Sequence, residues 1–163
     1  MAMILQQDQE DRYVYTPAQG KNYVLTEATS GAAFPFTGPK RAGEVTRAYV
    51  QGRTFICYAR QGIYEFDGTA FNPVMLTGLD SEQIEGICSG ANYLIAYTRR
   101  VVHWSSNMDP TEFTPSLTTG AGAESVQEVR GAIVACFTIA GGFVIYTTQN
   151  AVFARFTQNA SYP

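Results

Sequence analysis

The sequence predicts an all-β protein built of repeated four-stranded antiparallel units, and three observations carry that prediction. The first is a repeat. Residues 53–66, 92–104 and 142–153 each run from an apolar stretch through a short polar turn to a second stretch ending in an aromatic residue. Tyr58, Tyr97 and Tyr146 close the three leading stretches and stand 39 and 49 residues apart, a spacing at which one supersecondary unit recurs. The second is the apolar pattern. Phe55-Ile56-Cys57-Tyr58, Tyr93-Leu94-Ile95-Ala96-Tyr97 and Phe143-Val144-Ile145-Tyr146 do not alternate with polar residues, as expected of strands covered on both faces. The third is the lack of a helical window. β-branched and aromatic residues dominate the periodic segments, and Gly or Pro interrupts nearly all of them.

Taken in order, residues 1–42 read as an N-terminal arm with a lead-in strand. The first eighteen residues are polar and acidic after a few apolar ones, the composition of an extended tail or of an arm that docks on a neighbouring subunit. One strand is expected at Tyr23-Val24-Leu25-Thr26, and Gly38-Pro39 opens a loop. Three units follow, at about 43–79, 80–122 and 123–163. Each opens with an apolar strand and a glycine turn: Gln51-Gly52, Ser89-Gly90 and Ala140-Gly141-Gly142. Each closes with a short strand marked by an aromatic near a proline, at Phe71-Asn72-Pro73, Phe113-Thr114-Pro115 and Tyr162-Pro163. Asp67-Gly68 is a two-residue hairpin signal, because both residue types tolerate positive φ. Four short antiparallel strands per roughly 44 residues is the grammar of a β-propeller blade. Propellers have typically about 4–8 blades, so three blades imply a partial ring completed by other chains, or sheets stacked as a sandwich. An unfinished last unit leaves an edge that invites pairing with another chain.

Composition narrows the function classes. In 163 residues, 45% are hydrophobic, 13% aromatic and only 15% charged, which excludes a disordered chain and suits a protein whose surface is partly covered by partners. A net charge of −3 gives no general reason for nucleic-acid binding. No apolar run is long enough for a membrane-spanning helix, and the N-terminus is unlike a signal peptide. The three cysteines, Cys57, Cys88 and Cys136, sit singly in apolar segments and read as buried thiols in a reducing compartment.

No catalytic, metal or cofactor pattern emerges. His103 is the lone histidine, and a metal site would want further ligands. Asp80, Glu82 and Glu85 fall in a linker, with no opposing carboxylate for sugar hydrolysis. Gly120-Ala121-Gly122-Ala123 lacks the third glycine and following helix of a dinucleotide loop and reads as a flexible linker. The hairpin tips hold more interest. Arg60, Arg99 and Arg100 would gather on one face of a ring with the Gln149-Asn150 tip and the inter-unit linkers, a local basic patch suited to an acidic subunit or a nucleic-acid backbone. Trp104 is a further interaction candidate, as an aromatic platform.

The stretch from Val102 to Pro115, read as VHWSSNMDPTEFTP, contains Trp104-Ser105, Asp109-Pro110-Thr111 and Phe113. It resembles a Trp-Ser-x-x-x-Asp-Pro-Thr-x-Phe element of tail and other virion structural proteins of tailed bacteriophages. The other two units lack the Trp-Ser and Asp-Pro residues. The resemblance implies propeller-like repeats and a non-enzymatic structural role in a virion, as a tail or tail-adaptor component synthesised in the host cytoplasm. The partners expected are copies of the chain itself and other virion subunits; no cofactor is expected. A carbohydrate- or receptor-binding module presenting Trp104 and Tyr64 is the alternative.

Overall fold

The computed structural model describes residues 3–6, 12–17, 23–27, 45–125 and 130–155, with side chains in the last two spans. Among them are fourteen strands, one 3₁₀ turn at Ser81–Gln83 and no α-helix. Strands β1 (Met3–Gln6), β2 (Arg12–Pro17) and β3 (Tyr23–Glu27) form an antiparallel N-terminal sheet. Where the sequence suggested an arm and one strand, three strands pair. Met3-Ile4-Leu5 and Tyr13-Val14-Tyr15 are short β-forming runs on either side of a polar segment, which is a hairpin pattern despite the charge between them.

Three further antiparallel sheets follow. Sheet I holds β4 (Val45–Val50), β5 (Arg53–Tyr58), β6 (Gly62–Phe66) and β7 (Phe71–Pro73). Sheet II holds β8 (Gly86–Gly90), β9 (Tyr93–Tyr97), β10 (Val102–Trp104) and β11 (Gly122–Glu124). Sheet III holds β12 (Ile133–Ile139), β13 (Gly142–Thr147) and β14 (Ala151–Arg155). In each, consecutive strands are hydrogen-bonded neighbours. The repeat of up-and-down sheets is therefore real, and the fold is all-β. Strand β4 packs along β8, and β8 along β12, so the sheets stack in chain order; among the described residues they do not close into a ring.

Burial between the sheets holds the stack. Phe55, Cys57 and Ile63 of sheet I meet Ile87, Leu94 and Ala96 of sheet II. Ile95, Tyr97, Val102 and Trp104, on the other side of sheet II, meet Ile133, Cys136, Phe143 and Ile145 of sheet III. Each large side chain so buried contributes about 1.5–3 kcal/mol. Polar links add register: the Thr46 hydroxyl accepts a hydrogen bond from the Ile87 N–H (2.8 Å), and the Thr138 hydroxyl donates to the Ser89 carbonyl.

Superposing the units on their first turns makes Phe55, Ile95 and Val144 equivalent, and likewise Cys57, Tyr97 and Tyr146. Tyr58 therefore differs from the tyrosine it was matched with. Strand β5 is one residue longer than β9, and Tyr58 faces the opposite side, in an apolar cluster with Ile56 and Phe71. The turns themselves are left-handed. Gln51 and Gly52 have φ of 53° and 76°, and Ala91 and Asn92 have 44° and 73°, the form whose twist matches that of the flanking strands. The expected Ser89-Gly90 turn thus lies two residues later, with Ser89 and Gly90 completing β8.

The closing strands follow the expectation once. Strand β7 is at Phe71–Pro73, entered through a four-residue loop in which the Asp67 N–H donates to the Ala70 carbonyl (3.1 Å), so Asp67-Gly68 is part of a longer turn. In sheet II the fourth strand is β11, inside the segment expected to be a flexible linker. A Cβ at Gly122 would stand 2.6 Å from Trp104 Cζ2, so only glycine lets the indole lie across that strand. Phe113 is instead a buried plug between sheets I and II: its N–H donates to the Thr77 carbonyl (2.8 Å). Tyr162-Pro163 lie outside the described residues.

Candidate functional site

The turns β5–β6, β9–β10 and β13–β14 each lie at one end of their own sheet. Two of them are tied to the linker entering the next sheet. The Arg60 N–H donates to the Ile84 carbonyl (2.7 Å), and the Ile133 N–H donates to the Arg99 carbonyl (2.9 Å). Arg60 adopts φ of 60°, and its guanidinium donates to Glu85 (Nε to Oε1, 2.9 Å), which raises the Arg60 pKa. The charge of Arg60 is thus matched locally. Arg99 and Arg100 are exposed in a turn closed by the Thr98 N–H donating to the Val101 carbonyl (2.9 Å). Gln149 is exposed. Asn150 is half-buried, its Oδ1 accepting from the Thr147 hydroxyl (2.8 Å) and the Arg130 N–H (3.0 Å), so its amide supports the turn.

The element from Val102 to Pro115 is occupied with internal structure. Trp104 is only 7% exposed, and its indole N–H donates to the Gly120 carbonyl (2.7 Å). The buried Ser105 hydroxyl accepts from the Leu94 N–H (3.0 Å) and donates to the Ser106 carbonyl (3.1 Å). Ser106, also buried, accepts from the Met108 and Asp109 N–H groups at 3.0 and 3.3 Å. Asp109 Oδ1 accepts from the Thr111 N–H (2.9 Å) and hydroxyl (2.8 Å); these bonds hold its carboxyl below the usual range. Arg53 reaches over from sheet I. It forms a two-pronged pair with Glu65 (2.7 Å to each oxygen), lies over the Phe55 ring and approaches Asp109 at 3.5 Å. Apart from the Arg53 contacts within sheet I, these bonds fix the loop between β10 and β11 or tie it to β9, and the Arg53–Asp109 pair joins it to sheet I.

Other candidates are dispersed. His103 is half-buried, and burial lowers its pKa. Cys57, Cys88 and Cys136 are free buried thiols, and burial pushes Cys57 up to about 12. Among the described residues no group of three or more His, Cys, Asp or Glu side chains could hold a metal, and no helix is long and apolar enough to cross a membrane.

One surface escaped the sequence reading: the outer face of sheet III. Val144 and Tyr146 occupy the places of Ile95 and Tyr97, which are 0% and 1% exposed, yet Tyr146 is 45% exposed. Phe137, Ile139 and Phe153 on the same face are 51%, 46% and 53% exposed. Phe137 and Tyr146 pack edge-to-face with centroids 5.9 Å apart. The signal was present, since β13 is apolar at both alternations, but it implied cover on both sides and the described residues supply it on one.

No protein-family model matches the sequence, and no curated protein is similar to it.

Proposed function

We propose that the protein is a structural subunit of a tailed-bacteriophage virion, a tail or tail-adaptor component made of propeller-like blades, that acts through contacts with copies of itself and other virion subunits. The observation that supports this reading is the use made of the Val102-to-Pro115 element, the stretch that resembles such proteins. Its Trp, Ser, Asp and Thr side chains are committed to holding one loop, while the Trp104 ring packs against sheet III and Asp109 approaches Arg53 of sheet I, which is the chemistry of a scaffold. The carbohydrate-reading alternative is weakened because the Trp104 ring is packed between sheets II and III instead of facing solvent. Mass spectrometry of purified particles from cells that produce the protein tests the reading. The chain is expected at a fixed ratio to the major virion proteins after density-gradient purification. Its presence in the lysate but not in particles would sink the proposal. Binding to a glycan array that Tyr64→Ala abolishes would favour the alternative.

A further inference from the structure

We infer that Cys88 and Cys136 are a redox-sensitive clamp: in an oxidising medium their thiols join in a disulfide that bonds sheet II to sheet III. The inference goes beyond the assembly reading and does not depend on it.

Stacking of the sheets brings the two thiols together. Ile87 faces sheet I and the next residue, Cys88, faces sheet III, where Cys136 is buried in the same cluster. The Cys88 and Cys136 thiols are hydrogen-bonded to each other. One residue beyond Cys88 and two beyond Cys136, the Thr138 hydroxyl donates to the Ser89 carbonyl, which fixes the two strands side by side at this point. Strands β8 and β12 approach to within 8 Å between Cα atoms, closer than the roughly 10 Å of ordinary stacked sheets. Four of the five residues of β8 are glycine, cysteine or serine, and their small side chains permit that approach. Two thiols already in hydrogen-bonding contact need only a small shift to reach the roughly 2.05 Å of a disulfide.

The internal repeat sets the pair apart from the ordinary contact. Counted from the first turns, Cys88 takes the place of Ala48, and Cys136 that of Ile87. Between sheets I and II those places hold an alanine and an isoleucine, both buried. Between sheets II and III both are thiols. The third cysteine, Cys57, is placed differently: it lies in the contact between sheets I and II, with its thiol hydrogen-bonded to Thr46.

The clamp closes by exchange with a small-molecule disulfide such as glutathione disulfide. One cysteine thiolate attacks a sulfur of that reagent, which gives a mixed disulfide and releases one glutathione. The second cysteine thiolate attacks the protein sulfur of the mixed disulfide, forms the Cys88–Cys136 bond and releases the other glutathione. The two cysteines lose two electrons and two protons; the reagent takes up both and leaves as two thiols. Thiolate is the reacting form, and the contact with Cys88, then burial, pushes the Cys136 pKa up. The closed contact therefore reacts slowly, and the pair becomes reactive when sheet III lifts from sheet II. Once formed, the bond ties positions 48 residues apart and holds the two sheets together.

Incubating the reduced full chain with glutathione disulfide, followed by mass spectrometry and non-reducing peptide mapping, tests this. Free thiols are expected to fall from three to one, with Cys88 joined to Cys136 within one chain and Cys57 left reduced. In urea the same reagent is expected to give a mixture that includes bonds to Cys57, which separates a bond directed by the fold from one formed by chance. In the oxidised protein, amide exchange of β12 and β13 is expected to slow by at least about thirtyfold, the low end of the usual effect of such a cross-link. A reductant should reverse the change, and Cys57→Ser should form the bond as the native chain does. Three free thiols after exposure, a lasting glutathione adduct, a bond to Cys57 or between two chains, or a Cys88–Cys136 bond that leaves the exchange of sheet III unchanged would each overturn the inference. The mapping is read on the unsubstituted chain, so it decides the matter even where a serine variant fails to fold. None of these results bears on whether the chain is found in virions, so the two readings fail separately.

Discussion

Asp67 shows how much of this fold depends on single short side chains. It sits fully exposed at the start of the β6–β7 loop, yet Oδ1 accepts from the Thr69 N–H, the Thr69 hydroxyl and the Ala70 N–H at 2.8 Å each, and Oδ2 accepts from the Asn72 amide at 2.8 Å. Those donors, the Ala70 N–H first among them, favour the ionised form and lower the pKa well below its ordinary 3.8. The sign of the pH dependence follows. A group whose pKa falls on folding contributes stability above its unfolded value and loses it as pH drops through the folded one. Asp67→Ala should therefore lower the urea midpoint by a constant amount between about pH 5 and pH 8. The gap between the variant and the native protein should narrow once pH falls below about 4. A gap that stays constant down to pH 2.5, about a unit and a half below the unfolded carboxylate value, would show that the carboxylate's charge is not what fixes the loop.

At the level of elements, the two-residue turns concentrate the local conflict. Ala91 holds φ of 44° in the β8–β9 turn, a conformation that costs a residue with a Cβ about 1–2 kcal/mol. Asn tolerates it, and Ala91→Asn should stabilise the protein by about 0.5–1 kcal/mol, read as a higher urea midpoint with an unchanged slope. A loss of stability would mean that contacts of Ala91, and not its backbone, set the turn. The same turns explain what the sequence disclosed. Hairpins were legible because strand-forming runs flank glycine or polar pairs, as in β4–β5 and β13–β14. The exact register was not: Tyr58 and Tyr97 look alike in sequence, and only the extra residue in β5 puts them on opposite faces. Strand β11 was illegible because Gly120 lies just before it and Gly122 is its first residue. Its pairing depends on Trp104 folding across Gly122, a contact between residues 18 positions apart. Phe113 carries the aromatic-x-Pro mark of a closing strand, but the loop from Ser106 carries it into the space between two sheets. Of the candidate site residues, the turn positions were legible as hairpin tips. The uses of Trp104 and Asn150 were not, since hydrogen bonds to Gly120, Thr147 and Arg130 are invisible to spacing.

Across the whole molecule, stacking in chain order makes stability a property of neighbours. Sheet II is covered on both sides by described residues, and β9 is buried at four of its five positions. Among the described residues sheet III is covered only by sheet II, and β14 has no buried residue. In a stack where each unit contacts the units before and after it, the end unit loses one interface when it opens and an inner unit must lose two. Sheet III should thus open before sheets I and II. Native-state hydrogen exchange is expected to show β14 and β13 exchanging at a lower opening free energy than β5 and β9, with β9 the most protected. Trp104, the single tryptophan, lies in the II–III contact, so its emission should shift to the red at denaturant concentrations where sheet I is still protected. Equal exchange in all three sheets would mean that the stack opens as one cooperative unit.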